Sequence, residues 1–166
     1  MNNQIKIRKA PIEQKPVLEK LMQLYLHDFS EYDKNDVNPD GLYEYKYLDS
    51  YWTENDRHPF LIYHENQFAG FVLVNSHVIL EENKGAKSIA EFFILRKYRR
   101  KGIGSSAASS VFDMFPGKWE VALEKENKPS HEFWRKVISD YTEGKFSEII
   151  PSDETLHGPI QSFDNS

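Results

Sequence analysis

Between Ile89 and Phe115 the chain reads IAEFFILRKYRRKGIGSSAASSVFDMF, which sets three basic side chains, Arg99, Arg100 and Lys101, beside two glycines, Gly102 and Gly104. Glycine has no Cβ, so the backbone at these points can lie directly against a ligand. If a helix starts here, its first N–H groups lack helical partners and stand at the positive end of the dipole. Such an end, with a basic lip beside it, suits a phosphate or pyrophosphate. Neither GxxxxGK[ST] nor a full GxGxxG is present, and no G-x-S-x-G elbow surrounds Ser105 or Ser106. Cysteine is absent, which removes thiolate catalysis, disulfides and Cys-based metal sites together.

The elements that must hold this turn are a strand before it and a helix after it. Ile89 to Leu95 is a short β-branched and aromatic run of the kind that sits in a sheet buried on both faces. From Gly102 the apolar spacing turns helical, with Ile103, Ala107, Val111 and Met114 on one side and Ala108, Phe112 and Phe115 beside it. Upstream, Gln4 to Arg8 reads as a first strand. Pro11 opens a helix striped by Val17, Leu18, Leu21, Met22 and Tyr25, and the acidic stretch from His27 to Asp40 reads as a loop or broken helix. Asn38-Pro39-Asp40-Gly41 is a turn, and Tyr43, Tyr45, Tyr47, Tyr51 and Trp52 form an aromatic cluster that either packs or walls a pocket. His58 to Tyr63 and Phe68 to Val74 have hairpin spacing.

Downstream, Pro116-Gly117 ends the central helix. Lys118 to Glu124 alternates as a half-buried strand, with Trp119, Val121 and Leu123 on one face and Glu120, Ala122 and Glu124 on the other. Asn127 to Ser130 starts a last helix with Pro129 near its first position, and Lys145 to Ile150 and Gly158 to Phe163 complete the sheet. There is no repeat, low-complexity tract or linker, so one α/β (α+β) domain over 1–166 is expected. The net charge of −5 argues against a general binder of nucleic acid or anionic membranes. No leader-like or membrane-spanning run is evident, which points to a cytoplasmic protein, monomer or homodimer. His27, His58, His64, His77, His131 and His157 show no close ligand spacing, so no metal is expected.

Arg99-Arg100-Lys101-Gly102-Ile103-Gly104, set between strand and helix, resembles the R/Q-x-x-G-x-G/A pyrophosphate loop of the GNAT acyltransferase superfamily. The element order is similar to that fold from end to end. The resemblance implies a single domain built on a mixed, mostly antiparallel, twisted sheet of about six to seven strands flanked by helices, with acetyl-CoA as co-substrate. It places pantetheine along Phe92, Phe93 and Ile94, and pyrophosphate on the stretch Arg99, Arg100, Lys101, Gly102, Ile103, Gly104 and Ser105. The family's second signature, Asn-x-x-Ala-x-x-Phe-Tyr, is matched by Asn127-Lys128-Pro129-Ser130-His131-Glu132-Phe133-Trp134. Asn127 then serves as a cofactor contact or as a helix cap. Trp134 departs from the pattern: it stands where many members carry the tyrosine that protonates the departing thiolate, and an indole N–H has no usable acidity. It could shape the cofactor pocket, leaving Tyr141 with a water as a substitute acid, or no dedicated acid.

Amine attack requires a neutral nitrogen, so a base is needed. Glu91 is the first choice and Glu120 the second, each with the plainer alternative of an ordinary strand carboxylate. The expected activity is transfer of an acetyl group from acetyl-CoA to a primary amine, of a small molecule or a peptide, by direct attack in a ternary complex. The alternative is a non-catalytic acyl-CoA-binding or sensing module, motivated by Trp134. The acidic residues Asp28, Glu31, Asp33, Asp36 and Asp40 suggest a cationic acceptor, or else merely a solvated loop.

Overall fold

The computed structural model describes residues 4–152 and 157–166. Its strands are β1 (Ile5–Lys9), β2 (His58–His64), β3 (Gln67–Asn75), β4 (Lys87–Ile94), β5 (Lys118–Glu124), β6 (Ser147–Ile149) and β7 (His157–Asp164). They form one seven-stranded sheet in the order β1-β2-β3-β4-β5-β7-β6, antiparallel throughout except for the parallel pair β4–β5. The helices are α1 (Lys15–Asp33), α2 (Ile103–Met114) and α3 (Lys128–Thr142). No helix among the described residues is long and apolar enough to cross a membrane.

Strict alternation along the central strands divides the core into two layers. Phe60, Ile62, Val72 and Val74 face α2 and α3, meeting Ile103, Ala107, Val111 and Phe112. Leu61, Phe71 and Leu73 face the opposite way onto Leu18 and Met22 of α1. Being covered on both sides explains why β2 and β3 are near-continuous apolar runs. Their hairpin turns at Glu65 and Asn66, both with positive φ, the geometry that matches the right-handed twist of the flanking strands.

Four local expectations differ from the structure. Pro11 precedes a short 3₁₀ turn at Ile12–Gln14, and α1 begins at Lys15 with Pro16 in its first turn. That helix then runs on to Asp33, through the acidic stretch expected to be irregular. Tyr25 and Leu26 continue its apolar side, Tyr25 and Phe29 pack ring to ring, and Lys34 in the left-handed region closes it by donating to Ser30 O at 3.1 Å. Met114, expected on the core side of α2, is exposed because it lies in the last turn. Strand β5 is buried on both faces at Trp119, Glu120 and Val121, since the segment between β3 and β4 folds across its outer face.

Two irregularities in β4 position the site. Its register with β3 pairs Leu73 with Glu91 but Val74 with Ile89, so Ala90 is an extra residue and the strand bulges. Ile89 therefore faces the α2 layer while both Ala90 and Glu91 face α1, after which Phe92 and Ile94 return to the α2 side and Phe93 to the α1 side. On its other edge β4 meets β5 only at Lys87↔Trp119 and Ser88↔Glu120. Beyond that pair the two strands diverge.

Candidate active site

The divergence opens a cleft of about 320 Å³ between β4 and β5. Glu91 and Phe92 line one wall and Leu123 and Glu124 the other; Tyr25 and Phe29 of α1 close one end, and Trp134 of α3 borders it from the opposite layer. A parallel pair that separates midway leaves backbone groups on both strands without ladder partners, available to a ligand that can pair with them.

Glu91 is the titratable group that the bulge turns toward α1. Tyr25 donates a short hydrogen bond to Glu91 Oε2, and Tyr45 donates to Oε1 at 3.2 Å. Burial pushes the Glu91 carboxyl up and the two phenol donors pull it partly back, leaving it raised to about 7. Burial, followed by the charge of Glu91, pushes both phenols upward, so Tyr25 and Tyr45 stay protonated donors. A carboxyl poised near neutrality within a cleft has the properties of a general base. The tyrosines were not singled out as site residues from the sequence, although Tyr25 lies in the apolar stripe of α1 and Tyr45 in the aromatic cluster noted there.

Glu120, the second choice of base, has a different place. It is 1 % exposed and accepts from Ile79 N at 2.6 Å, Leu80 N at 3.1 Å and Asn83 Nδ2 at 2.9 Å. It is absent from the cleft lining and its acceptor capacity goes to holding the segment that carries Ile79 to the cleft edge. Tyr141, named as a substitute acid, donates to Asp113 Oδ1 at 2.7 Å and accepts from Asn165 Nδ2 at 3.0 Å, with its ring against Phe112 and Phe163. It belongs to the packing between α2, α3 and β7, away from the cleft lining. Trp134 lines the cleft, 4 % exposed, edge-on to Phe92 at 5.0 Å.

The basic turn follows β4 through a 3₁₀ turn at Arg96–Tyr98, which buries Tyr98. Arg100 and Gly102 adopt positive φ, +61° and +76°, curling the chain back so that α2 starts at Ile103. The first bond of this helix runs from Ser106 N to Gly102 O at 3.1 Å, so the N–H groups of Ile103, Gly104 and half-buried Ser105 precede the helical ladder. Gly104 has a packing reason as well: a Cβ there would lie 3.2 Å from the Phe133 ring of α3. Arg100 and Lys101 are exposed and make no ion pair among the described residues. Arg99, also exposed, lies along the turn, its Nε donating to Ile94 O at 2.7 Å and its Nη2 to Asp28 Oδ2 at 2.7 Å. Two of its guanidinium nitrogens are therefore engaged within the fold, while the side chain stays partly open to solvent.

Asn127 caps α3, accepting from Ser130 N at 3.2 Å, and it also lines the cleft. The acidic residues fare differently from one another. Asp28 carries two arginines, and Asp33 is engaged by Asn35, whereas Asp36 and Asp40 are exposed beyond the end of α1. No group of His, Asp and Glu among the described residues could hold a metal ion.

Several solved structures share this architecture. An acetyltransferase from Thermus thermophilus superposes with a TM-score of 0.70 at 11% identity, covering 96% of each chain. A spermidine N-acetyltransferase from Vibrio cholerae, solved with CoA and spermine, gives 0.66 at 12% identity over 99% of this chain and 97% of its own. The ribosomal-protein-S18-alanine N-acetyltransferase from Escherichia coli gives 0.62 at 12% over 98% and 94%. At these identities the likeness is one of fold. No curated protein sequence matches the chain. Residues 18–138, which run from α1 through the bulged strand and the glycine turn to α3, match the acetyltransferase (GNAT) family, and the chain belongs to that family, whose members draw their acyl group from acetyl-CoA.

Proposed function

We propose that this chain moves an acetyl group from acetyl-CoA to a primary amine by direct attack in a ternary complex, with Glu91 as the base. The single observation that carries this reading is the Glu91 carboxyl, raised to about 7 and held by Tyr25 and Tyr45 in the opening between β4 and β5. Near neutral pH a substantial fraction is ionised and able to take a proton from an ammonium group, directly or through one water. The amine becomes nucleophilic only as it reaches the cleft.

The residues present fit the cofactor. The free N–H groups at the start of α2, with Arg100 and Lys101 beside them, suit a pyrophosphate. The unpaired edge of β4 at Phe92, Phe93 and Ile94 suits the amides of a pantetheine arm, with Asn127 and Trp134 on the α3 side. Acetyl-CoA supplies the acyl group and a thiolate leaving group. The cleft itself has no tyrosine at position 134, and a thiolate leaves readily enough that the step runs without a dedicated acid from α3.

The acceptor is a cationic or neutral amine. Glu91 and Glu124 line the cleft, and no Lys, Arg or His does among the described residues, so an anionic acceptor meets repulsion there. Similar folds serve such acceptors, spermidine in one enzyme and a ribosomal-protein alanine in another. Trp134 motivates a second reading, a module that binds acyl-CoA without turning it over. Thiol release measured over a panel of polyamines, amino sugars and peptide N-termini separates the two. Turnover on at least one amine is expected, and tight acetyl-CoA binding with no turnover on any would overturn the first reading.

A further inference from the structure

Asp28 and Tyr25 leave α1 three positions apart, on neighbouring points of one helix face. Tyr25 reaches Glu91 in the middle of β4. Half-buried Asp28 instead receives Arg96 Nη2 on Oδ1 at 2.6 Å and Arg99 Nη2 on Oδ2 at 2.7 Å. Arg99 is fixed from behind, because its Nε donates to Ile94 O at 2.7 Å and its guanidinium lies 5.6 Å from the centre of the Phe93 ring. Both ends of this path rest on β4. It runs from Ile94 through Arg99 to Asp28, along one turn of α1 to Tyr25, and back to Glu91 on the same strand.

Burial by itself would push the Asp28 carboxyl up, but the two guanidinium groups outweigh it and hold it below the usual carboxylate range. Asp28 is thus an anion at every pH at which the enzyme would work, and its charge is already met twice over. A carboxylate in that state has little left to offer a cationic acceptor. Its geometric consequence is larger: it ties α1 to the turn after β4 one helical turn beyond Tyr25.

We propose that Asp28 is a positioning residue, bracing α1 against the basic turn through Arg96 and Arg99 so that Tyr25 keeps its hydrogen bond to Glu91. The inference rests on the reading of Glu91 as base. It also makes one structural unit of the turn that suits the pyrophosphate and the group that takes the proton. The charged and titratable groups around Glu91 are Tyr25 from α1, Tyr45 and Tyr51 from the segment before β2, Arg57 beyond Tyr51, Asp33 further along α1, and Glu124 across the cleft. Asp28 bonds to the arginines and not to Glu91, so its effect passes through Tyr25.

The test is the pH dependence of kcat for the full chain with acetyl-CoA and the best amine, in Asp28→Asn, Tyr25→Phe, the double variant and Glu91→Gln. Losing a donor to the carboxylate raises its pKa. Asp28→Asn and Tyr25→Phe are each expected to move the acid limb upward by about half a pH unit or more, and the double variant no further than Tyr25→Phe alone. An unmoved limb in Asp28→Asn, or two shifts that simply add, overturns the brace. Should Asp28→Asn not fold, Arg96→Gln, which removes only the exposed half of the clamp, is read by the same criteria. If Glu91→Gln keeps the acid limb, the base assignment fails and the brace falls with it. If Glu91→Gln abolishes the limb while Asp28→Asn leaves it fixed, the brace alone fails.

Discussion

Glu91 and Glu120 are carboxylates on adjacent strands of the same sheet, and their surroundings differ in a way that bears on the proposed base. Glu120 is enclosed by two backbone N–H groups and an asparagine amide, which occupy its carboxylate oxygens as acceptors. Glu91 is met by two phenols and keeps an opening to the cleft. Its donors are too few to offset burial, and that shortfall lifts its pKa to about 7. Glu120 is closed over by its donors, and Glu91 keeps a side open to the cleft.

Glu91→Gln breaks the comparison on the rate side and carries the largest expected effect. It removes the proposed base and keeps the shape, so kcat should fall by roughly 10²- to 10⁴-fold, with little change in KM for acetyl-CoA. In the wild type, kcat should rise as pH passes through about 7, because the ionised carboxylate is the active form. Stability runs the other way. The folded-state pKa lies above the unfolded value of 4.5, so the group's stabilising contribution is complete below 4.5 and is lost as pH rises through about 7. The variant should therefore gain stability relative to wild type between those values, as read by thermal melts at pH 4.5 and 8. A variant with wild-type kcat and an unchanged acid limb would remove Glu91 from the chemistry.

The same operation on Glu120 should register in stability. Glu120→Ala strands the amides of Ile79, Leu80 and Asn83, a loss on the order of 3 kcal/mol, or roughly 10 °C in Tm. Asn83 also donates to Ser162 Oγ at 2.8 Å, so β7 feels the change too. Because Ile79 lines the cleft, kcat should drop modestly, within about tenfold, a much smaller loss than general-base removal brings. A large rate loss at unchanged Tm would reverse the two assignments.

The sequence made the glycine turn, the β2–β3 hairpin and the central strand–helix unit legible because each rests on local chemistry: a glycine at positive φ, two apolar runs a turn apart, a change of apolar period. The roles of Glu91 and Glu120 were not legible in that way. Alternation placed Glu120 on the outer face of β5, and only the segment between β3 and β4, folding across from afar, buries it. The bulge at Ala90 leaves no mark in a continuous apolar run, yet it turns Glu91 toward Tyr25. Acidic composition after His27 suggested irregular chain because its helical partners, Arg96 and Arg99, lie far along the sequence. The same distance hid the ion pair of Arg99 with Asp28, since a motif specifies side-chain types and says nothing of their further partners.

Trp134→Phe should give the smallest effect and sharpens the comparison from the other wall of the cleft. Trp134 packs edge-on to Phe92 at 5.0 Å and beside Phe112 at 6.3 Å, so its substitution leaves a partial void worth about 1–3 kcal/mol. No proton passes through an indole, so kcat should change by less than about tenfold, and the acid limb should stay where Glu91 sets it. That outcome would assign proton handling to the α1 side of β4 and packing to the α3 side, a division that follows from which face each residue of β4 presents after the bulge. Trp134→Tyr is the companion experiment, since it adds a phenol on the α3 side without touching Glu91. A faster reaction there, with the same acid limb, would mean that leaving-group protonation had been costing the enzyme rate. A thousand-fold collapse in Trp134→Phe, with acetyl-CoA affinity kept, would instead show that the indole N–H hydrogen-bonds the reacting centre, and the α3 wall would then share in catalysis.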